Sequence, residues 1–538
     1  MIGIDKEDRD MLRFLWLRDA RDPHSEVLKL RFCRLVFGLR PSPAILGATI
    51  NHHLKTHEKQ EPETVEHLKN SLYVDDFVSG AETDETALQI YKGTKQLMAK
   101  GGFNLRKWNS NSSNVVKSIE ALEGKKNLSL ISDKSSVTQD DQSFTKSTIA
   151  KESLLTEPTQ VKVLGMVWDT VEDTFLFNLT EIIEYANSLP VTKRSLLKWS
   201  SKIFDPLGFL SPFTIRLKIL FQIMCLDRLG WDCELHGNLR EQWNVLLSEL
   251  KFLNDVRVPR CYYLLQPKYL TTQVHGFSDA SESAIGAVVY VRTVYENGTI
   301  DVKLIASKTK VAPVKKQTIP RLELVAATVL AKLVESLLKA LKWSLEVFYW
   351  VDSMTALHWI RNDRAWKPFV QHRVNKIRSI SLTESWNFCP GSLNPADLPS
   401  RGISGQLLSN SSLWFNGPKF LARGEEEWPK RPVGNLSQSD EVLRKIVKEH
   451  PNVVRSLVSN EIEQRAMPDL NKAIDTTRYS SMKKLLRTTA YVMRFINILK
   501  KMPRCERTTN KLTTSEELSS DEIRKAAAVD KVYSTTIL

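Results

Sequence analysis

The chain has 538 residues, 42% hydrophobic and 26% charged, an ordinary balance for folded domains and enough length for about three or four of them. Lys and Arg number 76 against 62 Asp and Glu, a formal net charge of +14, which favours a polyanionic partner and makes nucleic acid the leading ligand class. Six scattered cysteines without CxxC spacing exclude a disulfide scaffold, the acidic start MIGIDKEDRD excludes a secretory signal, and no apolar run approaches the roughly 18 residues of a membrane span.

From 1 to 105, apolar runs alternate with short charged loops. In NSLYVDDFVSGAET, apolar runs flank Tyr73-Val74-Asp75-Asp76. This puts the acids on a hairpin tip with carboxylates on opposite faces, so only one directly serves a shared metal pair. His53 and His57 have zinc-ligand spacing, but no Glu follows His53 as HExxH requires, and a solvated helix end is the better reading. Residues 106–155 are dominated by Ser, Asn, Lys, Thr and Asp and read as a low-complexity, mobile insertion with too few apolar residues for a core. In 156–270, VKVLGMVWD reads as a strand, followed by a helical connector broken at Asp205-Pro206.

Between 271 and 404 the pattern becomes α/β. HGFSDA and IGAVVYVRT flank a Ser-Glu-Ser turn, DVKLIASKT is a third strand, and PRLELVAATVLAKLVESLLKAL is a helix with proline at its start. The almost unbroken apolar run LEVFYWVD suits a central strand covered on both faces, and two helices and the short strand WNFCPG follow, which predicts a mixed sheet. Beyond 405 the chain reads as polar and helical, with a basic amphipathic stretch at 477–501.

Four acids stand out by position. Asp279 ends the first strand, Asp352 ends the central strand, Asp397 follows the last strand, and Glu323 falls on the apolar helix face of Ile319, Leu322, Ala326, Leu330, Leu333 and Leu337. A lone strand-end Asp is more often a turn former, and Asp352-Ser353 also fits a helix cap. A carboxylate on an apolar face, however, neutralises or finds a cation, and an all-oxygen cluster suits Mg²⁺ or Mn²⁺.

FSDAS, RLEL, WVDS and NPADLPSR, in this order over about 130 residues, resemble the ribonuclease H fold of retroelement polyproteins. That resemblance implies a two-metal ribonuclease acting on RNA:DNA hybrids, with Asp279, Glu323, Asp352 and Asp397 as catalytic metal ligands. GSLNPAD lacks the mobile histidine many such enzymes carry; His372 lies in the preceding helix, so either product release is slower or Asn394 takes part. FCRLVFGLRPSPAIL resembles the template-contacting motif of reverse transcriptases, YVDD their catalytic hairpin, and VLGMVWD their primer grip. With the connector KRSLLKWSSKIFDPLGFLSP, the chain resembles BEL/Pao-type LTR retrotransposon Pol polyproteins over most of 1–404.

The resemblance implies an α/β and α+β multidomain chain. Its parts are a truncated reverse transcriptase palm (1–105), the insertion (106–155), a connector often labelled a Pao peptidase although no DTG or DSG occurs (156–270), a ribonuclease H-like domain (271–404), and a helical segment leading towards an absent integrase (405–538). Asp75 and Asp76 take the polymerase role, Asp75 as the metal ligand. Tyr73, Arg31, Arg34 and Arg40 take the nucleic-acid contacts, with RNA template and DNA primer as partners. The first catalytic aspartate of that family precedes the stretch where this chain starts, and Asp5, Asp8 and Asp10 read as turn residues rather than substitutes, so primer extension is not expected. The expected compartment is intracellular: cytoplasm, virus-like particle or nucleus. The competing reading is a decayed or repurposed copy that binds nucleic acid without cutting it.

Overall fold

The computed structural model describes residues 2–130, 159–263 and 267–430, with Glu449, Arg487, Thr488, Ala490 and Tyr491. Met1–Asn452 and Val453–Leu538 are separate units, and every sheet described here lies in the first. Most of the stretch after 405 falls outside the described residues, including nearly all of 477–501.

The amino-terminal part is built on three helices, Ser42–His57, Pro62–Ser71 and Asp84–Lys100. They bury a small core of Ile50, Leu54, Val65, Leu68, Leu97 and Met98. Strands Arg13–Leu17 and Val27–Arg31 pair antiparallel, and Leu72–Tyr73 pairs with Asp76–Phe77, but the two hairpins form separate two-stranded sheets. His53 is structural: its Nε2 lies 2.8 Å from the Leu97 carbonyl. The start of the expected insertion is folded, which corrects the reading of 106–155 as coreless. Ser113–Leu130 is a helix, and its Val115 and Ile119 pack against Tyr91. Two apolar residues four apart are enough to dock one helix face, which overall composition does not reveal.

A second correction concerns VKVLGMVWD, which is a hairpin rather than one strand. Gln160–Val163 pairs with Met166–Asp169, and Leu164 and Gly165 both take positive φ, 50° and 86°, the geometry of a tight primed turn. Strands Thr174–Leu176 and Arg257–Pro259 complete this four-stranded sheet. Helices Lys193–Ser200, Ser211–Leu226 and Gly237–Glu249 form the connector. The DPLG turn between the first two is tied at one end by the Asp205 carboxylate, which accepts from the amides of Phe209 and Leu210 at 2.8 Å each.

The principal sheet comprises β1 (Tyr269–Ala280), β2 (Ala284–Tyr295), β3 (Ile300–Val311), β4 (Glu346–Val351) and β5 (Trp386–Phe388). Their order is β3-β2-β1-β4-β5. The first three are antiparallel, and β4 runs parallel to both β1 and β5, the mixed sheet the alternation of elements predicts. Helices α1 (Ile319–Leu341), α2 (Met354–Arg361) and α3 (Pro368–Arg378) cover one face through Leu324, Ala327, Leu330, Val334, Trp359 and Val374. A short helix, α4 (Asp397–Arg401), follows β5.

The other face is covered from outside 271–404. One continuous core joins Trp199, Phe213 and Trp243 of the connector to Phe277, Tyr290 and Trp350 of the sheet and to Trp414, Phe420 and Trp428. The expected polar segment after 405 therefore begins as part of this core. Its anchor is the buried Arg292, whose guanidinium donates to the carbonyls of Leu421 and Arg423 at 2.8 and 2.9 Å and to Gln273 at 2.8 Å. The Trp414 indole donates to the Phe209 carbonyl at 2.7 Å, and Tyr290 donates to the Trp414 carbonyl at 2.7 Å. Removing that indole leaves a large cavity and an unpaired Phe209 carbonyl. We expect Trp414→Ala to cost about 3–5 kcal/mol, read as a lower urea midpoint, and a chain ended at residue 404 to lose the cooperative transition of the sheet.

Candidate metal centre

Three of the four sequence-expected acids meet at one end of the principal sheet. The parallel register that sets Val351 beside Ser278 brings the next residues, Asp279 and Asp352, side by side at the carboxyl ends of β1 and β4. Glu323 reaches them from the first turns of α1, which starts on Pro320 and buries both flanks of its apolar face. Oxygens of Asp279, Glu323 and Asp352 lie within 4.8 Å of one another, the one such His, Cys, Asp or Glu group among the described residues. Asp279 is 3% and Glu323 7% exposed.

The bland reading of Asp352 as a helix cap fails on geometry. Ser353 caps α2 by accepting from the Ala356 amide at 3.2 Å, which leaves Asp352 free to face the cluster. Asn394, expected as a participant in product release, is 1% exposed. Its amide donates to the Ser278 carbonyl and its oxygen accepts from the Ala396 amide, both at 3.1 Å. It is a strut that holds the NPAD turn on β1. His372 is exposed on α3.

Asp397 sits at the rim and is not one of the three. Its carboxylate pairs with Arg401 one turn along α4, and its charge still raises the proton affinity of the others. Burial is the first cause in each case. It pushes Glu323 up to about 10, aided by the charges of Asp352 and Asp279, and Asp352 up to about 7, aided by Asp279. Asp279 is also raised by burial, against the opposing hydrogen bond from Ser400. Three mutually repelling carboxylates out of water hold protons unless a cation replaces them.

A divalent cation fits this donor set. The ligand atoms are all oxygen, and Glu323 Oε2 and Asp352 Oδ1 are buried with no hydrogen-bond partner, which is costly unless something positive completes them. Sequence reasoning missed Ser400 and Arg401. Arg401 stands four residues from Asp397 on a helix, a spacing that signals an ion pair, whereas the bond from Ser400 to Asp279 joins residues 121 apart and leaves no local trace.

The sequence-expected polymerase residues stay dispersed. Asp75 and Asp76 are exposed at the small hairpin, where Val74 takes φ 55°, and no third acid joins them among the described residues. Tyr73 is 66% exposed, and Arg31, Arg34 and Arg40 are all exposed, Arg31 paired with Asp10 at 2.6 Å.

Fold and cluster together define a ribonuclease H-like domain. Residues 192–353 match the protein family described as the Pao retrotransposon-like RNaseH-like domain. The match takes in the connector and reaches Asp279, Glu323 and Asp352 but not Asp397. No curated protein matches the sequence. The foamy viral protease-reverse transcriptase in complex with an RNA/DNA hybrid is 16% identical at TM-score 0.38 over 72% of this chain and 41% of that one. This chain thus spans about two fifths of that protein's length. An RNase H domain from Mycobacterium tuberculosis is 9% identical at TM-score 0.17, covering 23% of this chain and 86% of that one. RNase H1 from Halobacterium salinarum is 12% identical at TM-score 0.17, covering 24% and 91%. No helix among the described residues is long and apolar enough to cross a membrane.

The raised carboxylates set a pH signature. A group that binds its proton more tightly when folded stabilises fully below its ordinary value, 4.5 for Glu323, and loses that contribution as pH rises towards about 10. Without divalent cations, Glu323→Gln is therefore expected to melt above wild type by about 3 °C or more at pH 8, with the gap closing near pH 5. Thermal melts across that range check it.

Proposed function

We propose that the RNase H-like domain hydrolyses the RNA strand of RNA:DNA hybrids with Mg²⁺ or Mn²⁺, and that Asp279, Glu323, Asp352 and Asp397 are its catalytic residues. The convergence of two buried carboxylates and the half-buried Asp352, two of the three with unpartnered oxygens, carries this reading. Divalent cations bound there supply an activated water and a positive charge for the leaving 3′ oxygen. The chain's own part is to hold the ligands. β1 and β4 fix two carboxylates by register, α1 brings the third, and α4 carries Asp397 at the rim, paired with Arg401. Choice of the RNA strand rests on duplex shape and 2′-hydroxyls.

In the same reading, 1–105 is reverse transcriptase palm-like. Tyr73, Arg31, Arg34 and Arg40 meet RNA template and DNA primer, with Asp75 and Asp76 at the polymerase position. The exposure of all six supports a surface role, and the basic excess favours phosphate contact.

Asp352→Asn keeps size and removes the charge that holds the cation, so it should abolish hybrid cleavage while hybrid binding persists. Undiminished cleavage by that variant, or full activity in chelator, would overturn the assignment; wild-type binding without cleavage would favour the non-catalytic alternative. The chain is further expected not to extend a primer, because two cations need ligands from opposed strands and Asp75 belongs to no cluster of three metal-ligating side chains among the described residues. A template-dependent extension assay checks this.

A further inference from the structure

One turn after Asp397, α4 carries a side chain that the metal chemistry itself does not require. Ser400 is fully buried, and its hydroxyl donates to Asp279 Oδ2 while lying 3.0 Å from the Asp397 carbonyl. With a single proton to give, the hydroxyl is held by the carboxylate, the stronger acceptor. Its backbone is fixed as well. Its carbonyl accepts from the Ser281 hydroxyl at 2.7 Å. On the facing strand, a Cβ at Gly286 would come within 2.8 Å of the Ala396 carbonyl and 3.1 Å of the Ser400 amide, so the glycine is what lets α4 press onto β2.

Asp279 has reason to need such a hold. Asp352 and Glu323 crowd it within 4.8 Å, the Asp397 charge acts on it as well, and Ser400 supplies the hydroxyl donated to it among the described residues. We propose that Ser400 is a positioning residue: it locks the Asp279 rotamer towards Glu323 and Asp352 and links that ligand mechanically to the helix bearing Asp397. This rests on the reading that the three acids hold a divalent cation. Groups that orient metal ligands typically change metal affinity by about 10- to 100-fold when removed.

The test is a Mn²⁺ titration by calorimetry on the full chain as wild type, Ser400→Ala and Ser400→Cys, beside steady-state hybrid cleavage and a metal-free melt. Ser400→Ala should weaken Mn²⁺ binding about tenfold or more and lower kcat with KM for the hybrid unchanged, with excess Mn²⁺ restoring part of the rate. Ser400→Cys, similar in size with a weaker donor, should fall between. Wild-type affinity and kcat in Ser400→Ala would overturn the positioning role and leave the metal reading standing. A wild-type chain that takes up no Mn²⁺ would overturn both. Should Ser400→Ala melt before titration, Ser400→Cys decides alone, and wild-type affinity in that variant overturns the proposal.

Discussion

Three carboxylates within 4.8 Å of one another, two buried and one half-buried, are the constraint around which the principal domain is organised. Left alone they repel and keep protons, so folding must supply enough packing to force them together. That packing comes from both faces of the sheet. The helical layer presses Glu323 inward among Leu322, Leu324, Ala326 and Ala327, all buried. The opposite layer packs Phe420 and Trp428 onto Phe277 of β1 and Trp350 of β4, whose own rings stack at 6.0 Å. The repulsion within the cluster is thus offset by burial on either side.

The backing layer also defines the folding unit. The connector is not a spacer between two domains. Its DPLG turn lies against β3, where the Ser307 hydroxyl donates to the Gly208 carbonyl at 2.6 Å and the Ser307 amide to the Leu207 carbonyl at 2.8 Å. Gly208 takes φ 78° there, and a side chain would collide with Ser307. A family match that begins at 192, well ahead of the first strand of the sheet, agrees with this. Connector and sheet share one core. The amino-terminal helices keep a separate small core, and the hairpin Arg13–Leu17 with Val27–Arg31 leaves Leu15, Trp16 and Val27 largely exposed.

Much of the architecture was legible in the sequence by itself. Alternation and unbroken apolar runs marked the strands of the sheet, Pro320 marked the start of α1, and an acid on an apolar helix face singled out Glu323. Those signals are local: side-chain period and chain stiffness act within a few residues, so a sequence displays them directly. Tertiary structure alone decided the rest. Which acids meet depends on the parallel register of β1 with β4, set by packing across more than 70 residues of chain. Ser400 reached Asp279, Asn394 became a strut, and Trp414 joined a core expected to end before it, because the close approach of α4 to Gly286 and the saturation of Arg292 by distant carbonyls have no counterpart in local spacing. Composition likewise hid the helix at Ser113–Leu130, since docking needs only Val115 and Ile119 on one face and a partner, Tyr91, supplied by another helix.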